Sequence, residues 1–117
     1  MPGEAVSVLS ARRFVCVHLV DHRLLYLVDD ARLVVSELAA NAVRHAHSPF
    51  TVSLRQADRA VFLSVQDGSP GTPALLDPGL LSTAGRGLSI VDLVSEDWGV
   101  TPAPGGGKSV WASFSTR

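Results

Sequence analysis

VVSELAANAVRHA, residues 34–46, is apolar over most of its surface when wound as a helix, yet Glu37, Asn41 and His45 recur at every fourth position. At about 100° per residue the three drift only about 40° from one to the next, so they form a single polar stripe. A carboxylate set among apolar neighbours has to be solvated, paired or bound to something, since burying it alone is costly. Two readings fit the stripe: one wall of a cavity, or a solvated seam in which Glu37 pairs with Arg32 or Arg44.

Working outward, the helix starts at Asp29 or Asp30 and runs to about His47, with acidic residues at its start, Arg44 and His45 in its last turns and Pro49 beyond its end. An earlier helix is expected from about Val6 to His22, where Val8, Leu9, Phe14, Val15 and Leu19 fall near helical spacing. Beyond Pro49 the period changes to two. FTVSLRQ sets Val52 and Leu54 on one face, AVFLSVQ sets Val61, Leu63 and Val65 on one face, and ADR between them predicts a hairpin. GRGLSIVDLVSED then reads as a helix through Leu88, Ile90, Val91 and Val94, and WGV and SVWASFS read as extended. In the last strand Val110, Ala112 and Phe114 alternate with Trp111, Ser113 and Ser115. The expected fold is α+β: a two-layer α/β sandwich whose mixed, mostly antiparallel sheet carries helices on one face.

The chain has 117 residues, enough for one domain with its own core, so residues 1–117 are expected to form a single unit. A composition 46% hydrophobic and 18% charged is globular, and a formal net charge of -1 argues against nucleic acid as a direct partner. The longest apolar run, FVCVHLV, is too short for a membrane span, and the N-terminal stretch lacks the basic region of a signal peptide. Cys16 is the only cysteine, which excludes an intrachain disulfide and suits a reducing cytoplasm.

Three further signals stand along the chain. VQDGSPG, 65–71, ends an alternating strand in Asp67, which could accept a hydrogen bond from the amino group of a bound base, although Asp-Gly after a strand, read alone, is more often an ordinary turn. Gly85 and Gly87 open an apolar-periodic helix, an arrangement that admits phosphate to backbone N–H groups. GGGKS, 105–109, ends like a Walker A loop, but Pro102 stands where its first glycine is needed and VWASF follows in place of a helix, so that reading is rejected. His18 and His22 have the spacing of metal ligands on a helix without an evident third ligand.

In this order, Glu-x-x-x-Asn on a helix, Asp-Gly at a strand end and Gly-x-Gly at a helix start, the chain resembles the GHKL (Bergerat-fold) ATPase superfamily. It is most similar to the anti-sigma factor serine/threonine kinase branch, with SELAANAVRHA as the N box, over about Ala11 to Phe114. The resemblance implies ATP and Mg²⁺ as ligands. It makes Glu37 the general base and Asn41 the Mg²⁺ ligand, with Arg44 and His45 near the phosphates. Asp67 would read the adenine amino group, and Gly71, Gly85, Arg86, Gly87 and Leu88 would complete the nucleotide-binding set. Ser109 matches a hydroxyl position near the adenine, and residues 68–84 would form the ATP lid. The implied partners are a sigma factor and an anti-anti-sigma antagonist whose serine receives the γ-phosphate, with no direct nucleic acid, no membrane and room for a homodimer. One departure stands out: the first glycine box, commonly Asp-x-Gly-x-Gly, has Ser69 at its middle glycine and Pro70 after it. A catalytically weak ATP-binding module acting through protein contacts is the alternative reading.

Overall fold

The computed structural model describes residues 6–43, 49–68, 85–102 and 106–116, with 85–89 described as backbone alone. Helix α1 (Val6–Asp21) is followed by a short 3-10 turn (Leu25–Leu27) and helix α2 (Val28–Asn41). Strands β1 (Phe50–Ala57) and β2 (Ala60–Asp67) form the expected hairpin. Helix α3 (Gly85–Val94) and strands β3 (Asp97–Pro102) and β4 (Lys108–Ser115) complete the described chain. The sheet order is β1-β2-β4-β3, and every pairing among these strands is antiparallel.

Strand alternation decides which residues meet the helices. In the β2–β4 register, Val61 faces Phe114, Leu63 faces Ala112 and Val65 faces Val110. All six are buried, as pairs sharing one face of a pleated sheet must be when helices cover it. Against them lie Val34, Val35, Leu38 and Ala39 of α2 and Val91 of α3. The opposite face carries Arg55, Phe62 and Trp111, with the Arg55 guanidinium 4.8 Å from the centre of the Phe62 ring. Gly99 lies directly across from Trp111, and a Cβ there would come within 2.8 Å of the indole, so the missing side chain makes room for the ring.

Helix α1 departs from the expected apolar face. Its buried stripe is Ser7, Ala11, Val15 and Leu19, every fourth residue, packed on α2. Leu9 and Phe14, expected inward by periodicity, are 60% and 40% exposed. Both lie off the narrow line of contact with α2, so helical spacing alone overstates the buried width. The helix ends in a Schellman motif: Leu24 N–H donates to Leu19 O at 2.8 Å and Arg23 N–H to Val20 O at 3.1 Å. Leu24 and Leu19 are both buried, as the hydrophobic pair of that motif requires. Arg23 holds the left-handed position at φ 60°, where a side chain costs about 1–2 kcal/mol relative to glycine. Arg23→Gly should therefore stabilise the fold by about 1 kcal/mol, raising Tm by roughly 4 °C in a thermal melt followed by circular dichroism. The same turn accounts for the histidine pair. The His22 Nδ1–H donates to His18 O at 2.8 Å and the two rings stack with centroids 4.1 Å apart. Among the described residues no three His, Cys, Asp or Glu side chains gather in a metal-ligating group.

Candidate functional site

The described candidate residues are carried by α2, the end of β2, the start of α3 and the start of β4. Helix α2 delivers the chain to Phe50, whose cross-strand partner is Asp67 at the end of β2. Asp67 in turn faces Lys108 at the start of β4. Helix α3 reverses into β3 through Ser95 and Glu96 alone, and Trp98 Nε1–H ties the two together by donating to Asp92 Oδ1 at 2.8 Å. A reversal that short brings α3 back against β3. Phe50, Asp67, Lys108 and Pro102 therefore share one end of the sheet, and α2 packs on both α3 and β2.

Glu37 and Asn41 are half-buried on α2, one turn apart, about 6 Å along its axis. They border the buried face formed by Ala31, Val34, Val35, Leu38, Ala39 and Ala42 and do not interrupt it. The Arg32 version of the seam is not formed: Arg32 pairs with Asp29, Nη2 to Oδ1 at 3.5 Å, and not with Glu37. Among the described residues Glu37 has no ion pair. Arg44, His45, Gly71 and most of the expected lid lie outside the described residues. Gly85, Arg86, Gly87 and Leu88 form the first residues of α3, the position that presents unpaired backbone N–H groups.

Asp67 is buried at the very end of β2, where the strand breaks at Gly68. Its Oδ1 accepts from Lys108 Nζ at 3.2 Å, with only 5% and 11% of the two side chains exposed. Gly107 makes this junction possible: a Cβ on it would lie 2.0 Å from Asp67 O. Neighbouring Gly106 takes φ 101°, a conformation open to glycine. The GGGKS run is thus a strand entry fitted tightly over the end of β2.

Ser109, expected near the adenine, lies one position along β4 from Lys108. It pairs with Gln66 and Thr101, one residue out of phase with Asp67 and Lys108, and so belongs to the face of Trp111. Lys108, passed over as the tail of a rejected Walker motif, is the residue beside Asp67. The signal was present in the sequence: Lys108 shares the odd-even phase of Val110, Ala112 and Phe114, the inward set of that strand.

With this geometry in place, residues 4–114 match the family model described as a histidine kinase-like ATPase domain. The chain belongs to that family. A search of curated proteins gives no match. For a histidine kinase-like ATPase domain, the helix-and-antiparallel-sheet architecture is the expected one, and the family implies ATP as the ligand. No described helix is long and apolar enough to cross a membrane.

Proposed function

We propose that this ATPase-family domain is an anti-sigma factor serine/threonine kinase: it binds a sigma factor and transfers the γ-phosphate of ATP to a serine of an anti-anti-sigma antagonist. The observation that carries the reading is Asp67, buried beside Lys108 at the end of β2, with α2, the helix of Glu37 and Asn41, packed on both β2 and the glycine-opened α3. The resemblance of SELAANAVRHA to the N box of that kinase branch supports the narrower choice.

Each residue then has a distinct task. Asp67 accepts a hydrogen bond from the adenine amino group, fixing the base at the strand end. The N-terminal N–H groups of α3 face the phosphates, whose negative charge the helix terminus favours. Asn41 would hold Mg²⁺ through its neutral side-chain carbonyl oxygen, a hard ligand suited to that cation, which would supply charge neutralisation at the phosphates. Glu37 accepts the proton of the antagonist serine hydroxyl as that oxygen bonds to the γ-phosphorus and the bond to the bridging β–γ oxygen breaks, releasing ADP. A carboxylate at the edge of the buried face, without an ion pair among the described residues, suits a base that must take up a proton. Partners of this kind put the protein in the cytoplasm.

The test is transfer from γ-labelled ATP with Mg²⁺ to a purified antagonist carrying the acceptor serine. Label on that serine, absent when it is replaced by alanine, supports the proposal. ATP binding with no transfer to any such antagonist contradicts the kinase half.

A further inference from the structure

We propose that Lys108 is a base-reading residue, and that with Asp67 it makes the site selective for adenine over 6-oxopurines. The inference rests on the ATP-binding reading above and adds a residue to it. A carboxylate acceptor and an ammonium donor stand 3.2 Å apart at the end where the base is expected. They come from directly paired positions on adjacent strands, so the sheet fixes their spacing. Adenine presents the complementary couplet, an amino donor at position 6 beside the acceptor N1. With the amino group on Asp67, the neighbouring N1 falls to Lys108. An ammonium has three N–H donors, and the bond to Asp67 Oδ1 uses one of them.

Burial gives the couplet its discriminating power. With 5% of the Asp67 side chain and 11% of the Lys108 side chain exposed, water has little room to rescue a mismatched base. Hypoxanthine in the same seat reverses both partners: O6 is set against the carboxylate and N1–H against the ammonium. Both contacts become repulsive, and a site built for polar pairing rejects such a ligand strongly. Lys108 thus acts on base choice, apart from the phosphates and the transfer step. The close fit of Gly107 over Asp67 O keeps the two strands, and hence the couplet, in register.

The experiment compares equilibrium binding of ATP, ITP and 1-deaza-ATP, each with Mg²⁺, to the wild-type chain and to Lys108→Met. The wild type should bind ATP about a hundredfold more tightly than ITP. It should also lose about tenfold with 1-deaza-ATP, which keeps the amino group and lacks N1. Lys108→Met should weaken ATP about tenfold, shrink the preference over ITP, and bind ATP and 1-deaza-ATP alike, a loss of N1 discrimination that a merely structural ion pair would not produce. Removing Lys108 strips Asp67 of a buried cation and endangers folding, so the wild-type comparison of ATP with 1-deaza-ATP stands as a separate test. Equal binding of those two, or an ATP-to-ITP ratio unaltered in Lys108→Met, overturns the role of Lys108 and leaves ATP binding intact. Failure of the wild type to bind ATP at all overturns the proposed function and this inference with it.

Discussion

Glu37→Ala should reduce phosphotransfer to an antagonist serine by about a hundred- to ten-thousandfold, the usual contribution of a positioned general base, and leave ATP affinity within about threefold of wild type. The two effects separate because Glu37 is assigned to the serine proton while the base and phosphates are assigned to Asp67, Asn41 and the start of α3. The substitution should also be structurally mild. Glu37 is half-buried beside, and not within, the packed face of α2, and alanine is the better helix former. Single-turnover transfer and an independent nucleotide titration on the same preparation give both numbers. Unchanged transfer would remove Glu37 from the chemistry. Intact regulation of the sigma factor without transfer would favour the non-catalytic module.

The second large effect is expected at Gly107. A Cβ placed 2.0 Å from Asp67 O meets backbone, which cannot rotate aside as a side chain could. The starts of β4 and the end of β2 must then move apart, and overpacking of this kind costs about 1–3 kcal/mol or more. Gly107→Ala should lower Tm by roughly 4–15 °C and, by disturbing the Asp67–Lys108 pair, weaken ATP binding beyond what the lost stability explains. A variant with wild-type melting and wild-type affinity would show that the tight fit over Asp67 O is not required. Gly106→Ala offers a contrast: nothing lies within 4 Å of its added Cβ, so its cost should come from φ 101° alone.

Much of the fold was legible because its signals are periodic. Val61, Leu63 and Val65 recur at every second position, as do Val110, Ala112 and Phe114, and the structure buries all six against the helices. Helix α1 was legible as a helix and less so in its buried face, because contact with one neighbouring helix uses a single line of every fourth residue. The polar stripe on α2 was visible from spacing, but its position relative to the core was not. Leu33 is 40% exposed, so Glu37 and Asn41 have half-open ground beside them, which a helical wheel of apolar residues does not reveal. At the strand end, motif matching favoured Ser109 for its hydroxyl. Strand phase, a signal equally present in the sequence, puts Lys108 on the face of Asp67 and Ser109 on the other. In a β-strand one position in sequence is the difference between two faces.

In the proposed function Asn41 engages the metal of an ATP bound by α2, the end of β2 and the start of α3. A titration of ATP with and without Mg²⁺, on the wild-type chain and on Asn41→Ala, tests it most directly. The expected result is Mg²⁺-dependent binding by the wild type and loss of about tenfold or more of the Mg²⁺-dependent part in Asn41→Ala, with the residual metal-free binding unchanged. Equal Mg²⁺-dependent affinity in the two proteins would contradict the account and place the nucleotide elsewhere.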